Sequence, residues 1–106
     1  MLALGTMTFG MQCDEATSFA ILDRAIESGI DFLDTADVYP LAGGLEKVGV
    51  TEEIIGRWMA SRGVREEILL ATKCRHPLAT KPNSGGLSRY HIHRAVEASL
   101  RRLGTD

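Results

Sequence analysis

Apolar residues fall into two alternating kinds of segment along this chain: short unbroken runs, and longer stretches in which they return every three or four positions. The unbroken runs are Leu2 to Gly5, Ile30 to Leu33 and Ile68 to Thr72. Their length suits strands, and their continuity suits parallel strands covered on both faces. The periodic stretches predict helices. The first starts at Asp14, an effective N-cap with Glu15 in the first turn, buries Phe19, Leu22, Ala25 and Ile26, and ends at Gly29. The second starts at Thr51, with Glu52 and Glu53 complementing the helix dipole, and packs Ile54, Ile55, Trp58 and Met59 before Ser61 to Gly63. The third starts at Ser88, carries Ile92, Ala95, Val96, Ser99, Leu100 and Leu103 on one stripe, and stops at Gly104.

Strand and helix therefore alternate three times, which predicts an α/β fold with right-handed crossovers. Two of the loops that follow strands are long for plain connections, Thr35 to Val50 and Cys74 to Leu87, the latter containing Pro77, Pro82, Gly85 and Gly86. Long loops at the carboxyl ends of parallel strands are where substrates are usually met.

Composition narrows the class. With 44% hydrophobic and 25% charged residues, the chain has the balance of an ordinary globular protein, which excludes disorder. The net charge of −2 conceals an acidic first part and a basic last part: residues 1 to 60 hold three Lys or Arg against ten Asp or Glu, and residues 61 to 106 hold nine against four. The basic residues are spread over two helices and a loop without interleaved aromatics, so they read as solvated helix faces rather than a nucleic-acid surface. Cys13 and Cys74 are far apart and neither has a second Cys nearby, so neither a zinc site nor a disulfide framework is indicated. No apolar stretch reaches the roughly 20 residues that span a bilayer. The first residues lack the pattern of a secretion signal, and a cytoplasmic protein with no membrane partner is expected.

Three ionisable groups then attract attention. Asp34 and Tyr39 follow the second strand and Lys73 follows the third, which delivers all three to one rim of the sheet, where α/β enzymes keep their chemistry. Each has an ordinary role as well: Asp as a turn or helix cap, Tyr as a packing residue, Lys as a solvated strand end. Together they make a relay. The unperturbed pKa of Tyr is about 10, so a phenol that donates a proton near neutrality needs a neighbouring ammonium to stabilise its phenolate. Lys73 supplies that charge, and Asp34 holds the Lys protonated and oriented. Such a relay suits an oxygen on which negative charge develops, as when hydride reduces a carbonyl. A second reading makes Lys73 a Schiff-base nucleophile of an aldolase-like lyase, but it leaves Asp34 and Tyr39 unexplained.

Four segments carry a resemblance: Leu4 to Gly10 (LGTMTFG), Gly29 to Tyr39 (GIDFLDTADVY), Thr51 to Gly56 (TEEIIG) and Leu70 to Lys73 (LATK). In this order they resemble the amino-terminal part of the aldo-keto reductases, with Asp34 to Tyr39 followed by Ala71-Thr72-Lys73 the most specific part. The resemblance implies a (β/α)₈ TIM barrel that reduces aldehydes and ketones with NADPH. It makes Tyr39 the proton donor, Lys73 the residue that lowers its pKa, and Asp34 the carboxylate paired with Lys73. It also places Gly5, Thr6 and Met7, with Asp34, beside the nicotinamide end of the cofactor.

A full barrel takes about 250 residues, so three βα units amount to a partial barrel of the amino-terminal half. The family's fourth catalytic residue, a His after the next strand, and its later phosphate-binding loops fall beyond Asp106, and no lead-in precedes the first strand. A truncated domain over residues 1–106 is therefore expected, with little turnover of its own. Exposed strand edges are expected to favour oligomerisation or completion by further chain. The alternative from another class is a non-catalytic reductase-like fragment or cofactor-sensing subunit. Of the remaining features, His91 and His93 lie two apart on a helix and point in different directions, which argues against a metal site. His76 reads as a solvated loop residue, Trp58 as core, and Gly43-Gly44 lacks the spacing of a phosphate-binding loop.

Overall fold

The computed structural model describes residues 2–106. Three strands, β1 (Ala3–Gly5), β2 (Phe32–Asp34) and β3 (Leu69–Ala71), alternate with three helices, α1 (Glu15–Glu27), α2 (Val50–Arg62) and α3 (Arg89–Leu103). Short 3-10 turns at Leu45–Lys47 and Arg65–Glu67 precede α2 and β3. The strands form one parallel sheet in the order β1-β2-β3, with Leu4 opposite Leu33 and Leu33 opposite Leu70. The strands are shorter than the apolar runs that announce them: Ile30 and Ile68 sit just before β2 and β3, and Ile68 is buried in the core rather than paired in the sheet.

Successive side chains of a strand face opposite ways, so the register sorts the sheet into rows. Leu33, wholly buried, and its neighbours Leu4 and Leu70 face the core, where they meet Leu22 of α1, Ile54, Ile55, Trp58 and Met59 of α2, and Leu103 of α3. Ala3, Gly5 and Leu69 belong to rows on the other face and are exposed. Among the described residues the helices cover one face of the sheet, and the row of Ala3, Gly5 and Leu69 lies on the other. Adjacent strands joined by crossovers of one hand receive their helices on one face only, and the opposite face of this sheet is open.

The helix ends follow their sequence signals with one exception. Asp14 caps α1, accepting from the Thr17 N–H at 2.8 Å, and Ser88 caps α3, accepting from the His91 N–H at 3.2 Å. At its other end α3 stops at Gly104, whose φ of 66° is the left-handed conformation that glycine adopts without strain. The exception is α2, which begins one residue before the expected Thr51, at Val50 after Gly49, and runs on through Ser61 and Arg62 to stop at Gly63.

The buried seam of α3 also differs from the expected stripe. Ala95, Ser99 and Leu103 are buried together with His91, while Ile92 and Val96 are 41% and 43% exposed. The cause is close packing of α3 on α2. A Cβ added at Gly56 of α2 would lie 2.5 Å from the Arg102 carbonyl oxygen and 2.8 Å from that of Leu103, so the two backbones nearly touch. The approach is tightest at the carboxyl end of α3, beside Arg102 and Leu103. An alanine in a helix ordinarily gains about 1 kcal/mol over glycine. At Gly56 the sign should reverse: Gly56→Ala is expected to lose about 1–3 kcal/mol through overpacking, measured by urea denaturation.

In α1, Leu22 and Ala25 are buried as expected, whereas Phe19 and Ile26 are only partly so and Ser18 is fully buried. Ser18 is accommodated because its hydroxyl donates to the Asp14 carbonyl at 2.7 Å. Trp58 is core, 1% exposed, and its indole N–H donates to Asp23 at 2.8 Å.

Candidate active site

Asp34 is the last residue of β2 and belongs to the row facing away from the helices. Beyond it the parallel pairing continues without regular strand: the Thr35 N–H donates to the Ala71 carbonyl at 2.9 Å, and that of Asp37 donates to the Lys73 carbonyl at 3.1 Å. These bonds hold the first residues of the two long loops side by side at the carboxyl rim. Thr6, past β1, ties the third strand end to them. Its N–H and its hydroxyl both donate to the Asp34 carbonyl, at 3.1 and 2.9 Å.

The three predicted residues meet on this frame. Lys73 Nζ donates to Asp34 Oδ2 at 2.8 Å and to the Thr35 carbonyl at 2.8 Å. The same ammonium lies over the Tyr39 ring, 4.9 Å from its centre. Partial burial pulls Lys73 toward deprotonation, but hydrogen bonding to Asp34 and Tyr39 and the charges of both outweigh it, so its pKa is raised. With side chains 51% and 45% exposed, the Lys73–Asp34 pair contributes only about 0–1 kcal/mol to stability. Its consequence is electrostatic: a fixed positive charge beside a phenol.

Tyr39 sits on a turn in which its N–H donates to the Ala36 carbonyl at 3.2 Å, and its own carbonyl accepts from the Thr51 N–H at 3.3 Å. The Thr51 hydroxyl donates to the Phe9 carbonyl at 2.8 Å, so the start of α2 ties the Tyr39 loop to the loop after β1. A cavity of about 310 Å³ opens beside Tyr39 and Lys73, walled by both long loops through Leu41, Cys74, His76 and Leu87. His76 is solvent-exposed and lines that cavity. Gly5 and Met7 lie exposed on the segment after β1, whereas Thr6 is buried with its hydroxyl hydrogen committed to Asp34.

Behind the rim lies a polar network that the sequence reading missed. Glu52, expected to complement the dipole of α2, is wholly buried and accepts from the Thr72 hydroxyl at 2.6 Å and from Arg102 Nε at 2.6 Å. Arg102 is correspondingly an exception to the solvated basic face, with its side chain only 19% exposed and also donating to Ser99 at 3.3 Å. Asp37 and His91 are buried nearby, and His93 is exposed. The sequence offered one signal for these residues. His91, Ala95, Ser99 and Leu103 recur every four positions, a helix seam in which two members are polar.

Comparison with known proteins shows the family. The family model described as "Aldo/keto reductase family" matches residues 1–106, and the chain therefore belongs to that family. It is 49% identical over 111 residues to the oxidoreductase YrpG of Bacillus subtilis, covering 99% of this chain and 33% of that protein. It is 41% identical to Protein tas of Escherichia coli, covering 99% of this chain and 32% of the relative. For norsolorinic acid reductase A of Aspergillus parasiticus the identity is 40%, covering 99% and 29%. The solved aldo-keto reductase AKR11C1 from Bacillus halodurans, in its holo form, superposes with a TM-score of 0.74 at 37% identity, covering 99% of this chain and 32% of that one. The chain thus spans about a third of the length of the curated relatives it matches. Among the described residues, no helix is long and apolar enough to cross a membrane.

Proposed function

We propose that the native polypeptide containing this chain reduces aldehydes and ketones to alcohols with NADPH, using Tyr39 as proton donor and Lys73 and Asp34 to activate it. The observation that carries this reading is the Lys73 ammonium, held 2.8 Å from the Asp34 carboxylate while lying over the Tyr39 ring. That charge stabilises phenolate, so it favours release of the Tyr39 proton to a carbonyl oxygen gaining negative charge. Asp34 and the Thr35 carbonyl keep the ammonium aimed there, and they oppose its loss of a proton when Tyr39 returns to the neutral form. The adjoining cavity, lined by Tyr39 and Lys73, offers a carbonyl compound a place beside both side chains.

Gly5, Thr6 and Met7, with Asp34, are the residues that would receive the nicotinamide end of the cofactor. The open sheet face ends at Gly5, where an added Cβ would meet nothing within 4 Å, and Thr6 fixes the backbone on which Met7 projects. NADPH supplies a hydride when bound. The strand order β1-β2-β3 with helices on one face supports a (β/α)₈ barrel, in which further strands continue the sheet past β3. The Schiff-base reading has less support, since an amine must be neutral to attack a carbonyl and Lys73 is held as an ammonium.

The test is aldehyde-dependent oxidation of NADPH by the native polypeptide, followed by absorbance, with alcohol formed in equal amount. A borohydride quench during turnover should leave no substrate attached to Lys73. Covalent trapping without alcohol formation would replace the reductase by the lyase.

A further inference from the structure

We propose that His91, on the first turn of α3, joins Asp37 in a buried pair bridged by one proton, and that this pair is a positioning device for Tyr39. The proposal rests on the reading of Tyr39 as the proton donor, which lies two residues beyond Asp37. Asp37 is 1% exposed and His91 4% exposed. Neither carboxylate oxygen of Asp37 has a hydrogen-bond partner, and neither does Nε2 of His91. An oxygen of Asp37, a ring nitrogen of His91 and the Cys74 sulfur lie within 4.8 Å of one another. An unpaired buried polar group costs about 1–3 kcal/mol, more when charged. A small side-chain movement that closes the gap satisfies both residues at once.

The proton count follows from the far side of the imidazole. Nδ1 lies 3.3 Å from the Asn83 carbonyl oxygen, which can only accept, so Nδ1 carries a hydrogen. Nε2 then either accepts from a protonated Asp37 or carries a second hydrogen and donates to a carboxylate. Both arrangements place one proton between the side chains. The surroundings favour it. Glu52 of α2 is already matched by Arg102 of α3, which leaves the Asp37 carboxylate as an excess negative charge in a dry setting. Burial and then the Glu52 charge raise the pKa of Asp37, more than the charges of Arg102 and His91 lower it.

Asp, Cys and His are also donors that zinc accepts. The Cys74 thiol favours a proton over a metal, because burial and then Asp37 push its pKa up, away from the thiolate that binds metal. The pair has a mechanical consequence. The Asp37 N–H is bonded to the Lys73 carbonyl, so a tie from its side chain to α3 fixes the segment that carries Tyr39 against the segment that carries Lys73.

The test compares His91→Leu with His91→Gln in the native polypeptide. A misplacement of about 1 Å costs up to ~100-fold in rate. His91→Leu is expected to lower kcat about tenfold or more with KM for NADPH little changed, and His91→Gln, whose amide still reaches Asp37, to recover most of the loss. Equal losses in the two folded variants would overturn the proposal. A second readout is independent of turnover. In ¹⁵N spectra of the imidazole, Nδ1 should appear protonated and Nε2 hydrogen-bonded, and Asp37→Asn should shift Nε2. A bare Nε2 indifferent to Asp37→Asn, or zinc retained at one ion per chain, overturns the pair. Should the wild type reduce no carbonyl compound, the reading of Tyr39 fails while the ¹⁵N spectra still decide the pair.

Discussion

Tyr39→Phe is expected to lower kcat for carbonyl reduction by about 10²–10⁴-fold, the range supplied by a positioned general acid. The substitution removes one oxygen. The ring remains beneath the Lys73 ammonium, and the Thr51 N–H still has the residue-39 carbonyl to bond, so the loop keeps its course. KM for the carbonyl compound should change little, because the lost interaction matters most as charge develops on the reacting oxygen. Steady-state kinetics of the native polypeptide and its variant measure both. Wild-type turnover by Tyr39→Phe would remove Tyr39 from the mechanism.

The largest loss of stability is expected at Arg102. Arg102→Ala leaves Glu52, wholly buried, with the Thr72 hydroxyl as its remaining side-chain partner. Breaking a buried ion pair from one side costs about 3–5 kcal/mol. The Arg62–Asp23 pair, whose side chains are 43% and 35% exposed, marks the contrast, since Arg62→Ala should lose about 1 kcal/mol or less. The Arg102 deficit should also deepen as pH rises. Asp37 titrates above its ordinary value of 3.8, so the folded state holds a proton that the unfolded chain releases. Unfolding free energy therefore falls as pH climbs from that value through the raised one. Arg102 moderates this by lowering the Asp37 pKa, and its removal adds to the charge the fold must bury. Urea denaturation at several pH values checks both the size and the slope.

How far the sequence disclosed this site depended on distance along the chain. Asp34, Tyr39 and Lys73 were legible because strand ends are legible: an apolar run followed by a polar residue marks the rim, and parallel strands bring successive rims together. The buried network was not. Glu52 looks like any acidic first-turn residue, and its helix pattern says which face is buried but not that Arg102, fifty positions later, arrives to pair with it. In α3 the large residues Ile92 and Val96 suggested a stripe, while the true seam runs through His91, Ala95, Ser99 and Leu103. Hydrophobicity pointed to the bulky positions, whereas the face packed on α2 carries two polar residues, His91 and Ser99. The continuous apolar runs announced parallel strands, and the order β1-β2-β3 places their helices on one side of the sheet.

The central claim is that Lys73 acts through Tyr39, and a double-mutant cycle tests it most directly. Carbonyl reduction is measured for Tyr39→Phe, Lys73→Met and the two combined in the native polypeptide, with folding checked by circular dichroism. Groups that act as a unit lose their effect together, so the double variant should be no slower than the slower single one. Losses that multiply would show Lys73 and Tyr39 acting independently, and would contradict the account.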